Sequence, residues 1–250
     1  MLDQAVITVM TWNVCTGTNA ACELYRKSDQ ELAWHITDHL LGNPDVIFLQ
    51  EFCTGATGTL EQWLEWRTGR SWTVRSWGLQ TAEGRPYDCH PDRNGRPRGA
   101  QSVTVAVADH AAAFETVPLT SPPWFARRAA LCATIPAVKV RACGTHLSSG
   151  MANDDAQRGA PYRHRQVRQL MAAAPKAGYI SVFGGDLNLT PGRVAAYKSY
   201  DECDPRMRWT YVKKRKIDYL FAPKGRVLRC WVDKGAKGSD HLPMAVRVAR

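Results

Sequence analysis

Short apolar runs, each closed by a side chain able to hold a cation or a phosphate, limit most strongly how this chain can fold. Val6-Ile7-Thr8-Val9-Met10 leads to Trp12-Asn13, and Val46-Ile47-Phe48-Leu49 leads to Gln50-Glu51. Ile180-Ser181-Val182-Phe183 leads to Gly184-Gly185-Asp186-Leu187-Asn188. Thr145-His146-Leu147, Ile217-Asp218-Tyr219 and Ser239-Asp240-His241 are three further segments that carry such side chains. Apolar runs of this length, bounded by turn residues, read as buried strands. Polar groups at strand ends can converge on one edge of a sheet core, where ligands are usually held. The set is rich in carboxylate and amide oxygen and carries two imidazoles, which suits Mg²⁺ or Mn²⁺ better than zinc.

The rest of the chain alternates helical and strand patterns. Ser28-Asp29-Gln30-Glu31 is a capping box, followed by Leu32, Ile36 and Leu40 at helical spacing and stopped by Gly42 and Pro44. Leu60, Trp63 and Leu64 predict a second helix ending near Gly69, and a third covers Arg163–Ala174 with Val167, Leu170 and Met171 inward. Strands are expected at 72–77, 102–108, 217–222, 227–232 and 244–248, and a short helix follows Thr190 at Pro191. Gly78–Gly99 reads as a long loop, of a length usually reserved for function, with Cys89 as a candidate tether. With 250 residues, 44% of them apolar, the expectation is one α/β domain over 1–250.

The net charge of +10 points to a polyanionic partner. The basic residues cluster: Arg206, Arg208, Lys213, Lys214, Arg215 and Lys216 interleave with Trp209 and Tyr211. A second group is Arg158, Arg163, His164, Arg165 and Arg168, and a third is Arg85, Arg93, Arg96 and Arg98. Of these, Arg163, Arg165, Arg208, Lys213, Lys214, Arg215 and Lys216 are the candidate nucleic-acid contacts. Trp209 and Tyr211 either stack on bases or point inward from an amphipathic strand.

Eight cysteines are present, with no spacing that reads as zinc. The runs Ala129–Ile135 and Val138–Thr145 form a hairpin turning near Pro136-Ala137, which sets Cys132 opposite Cys143. Local pairing would join Cys15–Cys22, Cys53–Cys89 and Cys203–Cys230. The alternative is eight buried thiols of a cytosolic enzyme. Disulfides are favoured, and with them a secreted or otherwise extracytoplasmic location. No run is long and apolar enough to span a membrane, and Met1-Leu2-Asp3-Gln4 does not read as a signal peptide.

The ordered segments WN, QE, THL, GGDLN, IDY and SDH resemble the endonuclease/exonuclease/phosphatase superfamily, from Thr11 to about Leu242. That superfamily includes deoxyribonuclease I, AP endonucleases, bacterial sphingomyelinases and inositol-polyphosphate phosphatases. The resemblance implies a four-layer sandwich of two packed mixed β-sheets with flanking helices. It implies Asn13, Glu51 and Asp240 as metal ligands or neighbours, for Mg²⁺ or Mn²⁺, with Ca²⁺ a further candidate. It implies His146, Asp186, Asn188, Asp218 and His241 as the catalytic set. Asp186 would orient or deprotonate the attacking water, and Asn188 would donate to a phosphate oxygen from the same face of an extended segment. Asp218 would fix the tautomer of His241. His146 would contact the scissile phosphate or leaving oxygen, with no secure carboxylate partner; Glu83 lies in a loop. Arg128 is either a phosphate contact or part of a core salt bridge.

The leading expectation is therefore a monomeric, metal-dependent phosphodiesterase, a nuclease acting on DNA and alternatively on RNA. A phosphatase or sphingomyelinase-type lipid phosphodiesterase is the runner-up, for which Ser121-Pro122-Pro123-Trp124-Phe125 offers a membrane-contacting turn. AP endonucleases are intracellular, which the cysteines argue against. A non-catalytic binding module would be expected to have lost at least one of the six segments.

Overall fold

The computed structural model describes residues 5–204 and 206–250; Met1-Leu2-Asp3-Gln4 lies outside them. In chain order the elements are β1 (Val6–Asn13), α1 (Asp29–Asp38), β2 (Val46–Cys53), α2 (Thr57–Thr68), β3 (Trp72–Gly78), β4 (Gln101–Ala108), β5 (Ala113–Leu119), β6 (Arg128–Ile135), β7 (Val140–His146), α3 (Pro161–Ala173), β8 (Ile180–Asp186), β9 (Tyr200–Glu202), β10 (Asp218–Pro223), β11 (Val227–Val232) and β12 (Met244–Ala249).

Local chemistry accounts for most of the boundaries. Ser28 caps α1 reciprocally with Glu31. Gly69, in the left-handed region at φ 67°, ends α2. Three differences from the sequence reading stand out. Leu40 lies beyond α1, which ends at Asp38. Helix α3 starts at Pro161, whose ring occupies the first turn without costing a hydrogen bond. Strands β5 and β9 were not foreseen. The first alternates exposed polar positions along a sheet edge, and the second is three residues long, so neither carries an apolar run.

The strands form two six-stranded mixed sheets, ordered β11-β12-β1-β2-β4-β3 and β5-β6-β7-β8-β10-β9. Three apolar clusters define four layers. Val46, Phe48, Val105, Val182 and Val246 belong to the core between the sheets. Leu32, Ile36, Leu60 and Leu64 pack α1 and α2 on the first sheet, and Val167 and Leu170 pack α3 on the second. This is the expected four-layer α/β sandwich.

The register decides where the strand ends meet. β1–β2 and β7–β8 are parallel pairs, so Asn13, Glu51, His146 and Asp186 all lie at C-terminal ends. β4, β6, β10 and β12 run antiparallel to these neighbours and bring their N-terminal ends to the same edge. In cross-section β4 faces β6, β2 faces β7, β1 faces β8, and β12 faces β10.

All four expected disulfides are present: Cys15–Cys22, Cys53–Cys89, Cys132–Cys143 and Cys203–Cys230. The hairpin pairs Cys132 directly with Cys143, as its turn requires. No free cysteine is found among the described residues. Thiol titration of the denatured, unreduced protein is therefore expected to find essentially none. Eight titratable thiols would overturn the pairing and the oxidising compartment inferred from it.

Candidate active site

Close backbone approach at the central edge needs glycine. A Cβ on Gly185, at φ 127°, would collide with the carbonyl oxygen of Thr145, and one on Gly184 with that of Tyr219. These two residues let β7, β8 and β10 come together and set Asp186 and Asp218 opposite one another in register. Glu51 is aimed by a different device. It sits in a β-bulge of β2, where the register against β4 slips between Gln50 and Phe52, at φ 55°. A bulge re-aims a side chain, and a left-handed non-glycine residue costs on the order of 1–3 kcal/mol unless its surroundings enforce it.

Asp186 is the hub. Its Oδ2 accepts from Asn13 Nδ2 at 3.1 Å and lies 3.4 Å from His146 Nε2 and 3.7 Å from His241 Nε2. Its Oδ1 accepts the Asn188 amide at 2.9 Å. Burial lifts its pKa to about 7, although the charge of His241 pulls the other way. His241 is also buried, which alone would lower its pKa, but Asp218 and Asp186 override burial and hold it at about 10. Its Nδ1 lies 3.0 and 2.9 Å from the two oxygens of Asp218. Asp218 in turn accepts from Thr210 Oγ1 at 2.7 Å, and Ser239 Oγ accepts from the His241 amide at 3.0 Å. His146 is the opposite case: burial, then the nearby positive charges of Arg128 and His241, hold it well below the usual histidine range. Its Nδ1 is buried without a hydrogen-bond partner. Glu83 is exposed and makes no contact with it.

Glu51 and Asp240 line the same cleft. Burial raises the Glu51 carboxyl above its usual range, and the Asp240 charge adds to this. One oxygen of Asp240 is buried with no hydrogen-bond partner. Two carboxylates that crowd one another with an oxygen to spare fit a hard divalent cation. Asn13, expected beside Glu51, makes hydrogen bonds to both sides. Its NH₂ spans Glu51 Oε1 and Asp186 Oδ2, both at 3.1 Å, while its oxygen accepts the Cys15 amide at 3.0 Å. It ties the two carboxylates together. Cys15 and Cys22 also approach Asp240, but their sulfurs are joined as a disulfide and are not free to bind metal.

The cleft above these groups encloses about 840 Å³. The structure divides the expected basic contacts. Lys213 and Arg215 line it, and Arg193, which the sequence reading missed, joins them. Lys214 is exposed on the same turn but does not line the cleft. Arg163 also lines it, yet its guanidinium is spent on Asp155 and on the Asn188 carbonyl. Lys216 is corrected: it is buried and paired with Glu202 at 3.1 Å, so a polyanion cannot reach it. Arg208 is tied to Asp204 at 3.0 Å, and Arg165 is exposed on α3 outside the cleft lining. Asn188 is corrected in conformation. At φ 51° it turns sharply after Asp186, so the two do not share a face of an extended segment, although both line the cleft. Arg128 makes the salt bridge that was one of its two expected roles, buried against Asp154 at 3.0 Å, and it also lines the cleft with Nε and one terminal nitrogen without partners.

Solved structures share this architecture. An endonuclease/exonuclease/phosphatase protein from Beutenbergia cavernae DSM 12333 is 21% identical at TM-score 0.69, covering 98% of this chain and 71% of its own. The human Nocturnin catalytic domain with bound sulfate is 16% identical at TM-score 0.66, covering 97% and 93%. D. rerio TDP2 complexed with a single strand DNA product is 18% identical at TM-score 0.65, covering 98% and 100%. No curated protein sequence matches this chain. The model of the Endonuclease/Exonuclease/phosphatase family matches residues 10–241, nearly the whole path from β1 to the His241 imidazole, and the chain belongs to that family.

Proposed function

We propose that the chain is a metal-dependent phosphodiesterase that hydrolyses nucleic acid, DNA foremost, outside the reducing cytosol. The observation that carries this reading is the buried Asp186 carboxyl, whose Oδ2 lies 3.4 Å from His146 Nε2 and 3.7 Å from His241 Nε2 in a cleft lined by Arg193, Lys213 and Arg215. Burial raises that carboxyl above its usual range, in the direction that suits a group taking a proton from water. Protonated His241, steadied by Asp218, donates to a phosphate oxygen on which charge develops. His146, kept neutral, approaches the same Asp186 oxygen at 3.4 Å and contacts the same phosphate. Glu51 and Asp240 hold Mg²⁺ or Mn²⁺, which neutralises phosphate charge when bound. Arg193, Lys213 and Arg215 hold flanking phosphates, and the unpartnered nitrogens of Arg128 offer a further contact. The TDP2 structure with its DNA product supports the choice of substrate by analogy.

Incubation with plasmid DNA, RNA and sphingomyelin, with Mg²⁺ or with EDTA, tests the reading. Hydrolysis of nucleic acid that EDTA abolishes is the expected result. Affinity should fall steeply with salt. Replacing Arg193, Lys213 and Arg215 together by glutamine should flatten the log–log slope by about 2–3, since each phosphate contact contributes roughly 0.7–0.9. An unchanged slope would remove these side chains from the substrate path. A lipid reading is favoured by one feature, the Trp124 side chain standing 53% exposed beside the cleft. The charge of +10 and Arg193, Lys213 and Arg215 in the cleft weigh toward nucleic acid.

A further inference from the structure

The cleft has two unlike ends. Its strand order runs from β4 and β6 at one end, through the catalytic groups on β2, β7, β1 and β8, to β12 and β10 at the other. Lys213 and Arg215 project from the turn that precedes β10 and returns beside His241. The β4–β6 end is apolar. Leu79 and Tyr87, from the segment between β3 and β4, line it together with Phe125, just before β6. The Tyr87 and Phe125 rings meet edge to face at 5.8 Å.

This end is preformed. Leu79 and Tyr87 belong to the long 78–99 segment, which has no helix but is fastened at many points. Tyr87 N donates to Leu79 O, Gln101 N to Tyr87 O, and Arg127 N to Gln80 O, at 2.9, 2.9 and 2.7 Å. The Cys53–Cys89 disulfide staples the segment two residues beyond Tyr87. A rigid aromatic wall binds without the cost of ordering a loop.

Resting on the nuclease reading above, we propose that Tyr87 and Phe125, backed by the buried Leu79, form a subsite for one unpaired nucleobase beside the scissile phosphate, and that the chain prefers single-stranded to double-stranded nucleic acid. Leu79, Tyr87 and Phe125 are uncharged, and Arg128, the cation that follows them at the head of β6, acts on His146 and Glu51 at the centre of the site, while the opposite end presents Lys213 and Arg215. A planar, uncharged group attached to the reacting phosphate is what complements the pair. In a duplex each base is stacked and paired, so its face is closed to Tyr87 and Phe125. In a single strand the face is open, and any base can use it, because stacking on aromatic side chains is indifferent to sequence.

The test compares kcat/KM, at fixed Mg²⁺ and salt, on a single-stranded oligodeoxynucleotide, its duplex, and the same single strand with abasic sites. The wild type is expected to favour the intact single strand over the abasic one by about 10- to 100-fold, the range of one base–aromatic stack. In Tyr87→Ala and Phe125→Ala that preference should shrink toward unity, and Tyr87→Phe, which keeps the ring, should restore it. Equal rates on single strand and duplex, or an abasic penalty that Tyr87→Ala leaves untouched, would overturn the subsite while leaving the nuclease reading standing. No hydrolysis of any nucleic acid would overturn the nuclease reading itself. If Phe125→Ala instead lost binding to sphingomyelin–phosphatidylcholine vesicles and kept its abasic penalty, the wall would be a lipid-contacting surface and the base subsite would be wrong.

Discussion

Glu51→Gln is expected to lower kcat/KM for nucleic-acid hydrolysis by about 10²–10⁴-fold, since charge neutralisation by a bound cation is worth several kcal/mol. The substitution is close to isosteric. The amide oxygen of glutamine can still accept from Asn13 Nδ2, which now lies 3.1 Å from Glu51 Oε1. The β-bulge and the φ of 55° are backbone properties that the change leaves alone. What is lost is the negative charge that burial and Asp240 already disfavour and that a cation would stabilise. The loss should therefore appear as a higher Mg²⁺ requirement with an unchanged melting temperature. Wild-type turnover at the wild-type Mg²⁺ half-saturation would remove Glu51 from the ligand set.

Asp218→Asn and His241→Ala should each cost several orders of magnitude in kcat/KM, and the double variant should be little worse than either. Groups that act as a unit are non-additive. The geometry gives the reason: Asp218 is the only carboxylate within hydrogen-bond reach of His241 Nδ1 among the described residues. An asparagine there keeps the shape but can present an N–H to the ring and mis-set its tautomer. Of the charges that raise His241, Asp218 exerts the largest effect. Its removal lets the imidazolium lose its proton at lower pH, so the basic limb of the pH–rate profile should move downward in Asp218→Asn. Losses that add in a double-mutant cycle, or an unmoved basic limb, would separate the two residues and shift attention to His146.

Much of this site could be read from the chain because its information is local. A β-strand ends where an apolar run meets a turn, and a polar residue at that point is held by the strand before it. This is why Asn13, Glu51 and Asp186 could be singled out, while the family resemblance added His146, Asp218 and His241; all six are found within one cleft or one hydrogen-bond network. The Cys132–Cys143 bridge was legible for the same reason, since hairpin register follows from turn length. Edge strands β5 and β9 escaped because an edge does not need an apolar run to find its partner.

Clusters of charge were less readable. Arg206 to Lys216 look uniform in sequence, yet Lys216 is buried on Glu202, Arg208 is bound to Asp204, and Lys213 and Arg215 face the cleft. Which cation finds a carboxylate depends on chain that is distant or turned back on itself, and composition carries no record of it. Arg193 was missed because it stands alone.

The sequence by itself determined the alternation of strands and helices and the Cys132–Cys143 pair, which depend on a few neighbouring residues, and the order of its six motifs identified the polar groups at the site. Only the tertiary structure decided what those groups do to one another. Asp186 is raised to about 7 because folding strips water from it, and His241 is held at about 10 because folding sets Asp218 and Asp186 against a ring that burial alone would discharge. The bulge at Glu51, the turn at Asn188, the amide bridge of Asn13 and the apolar and basic ends of the cleft arise from the same cause. Electrostatics in a dry interior is set by distances of a few ångströms between segments far apart in the chain, and only packing fixes those distances.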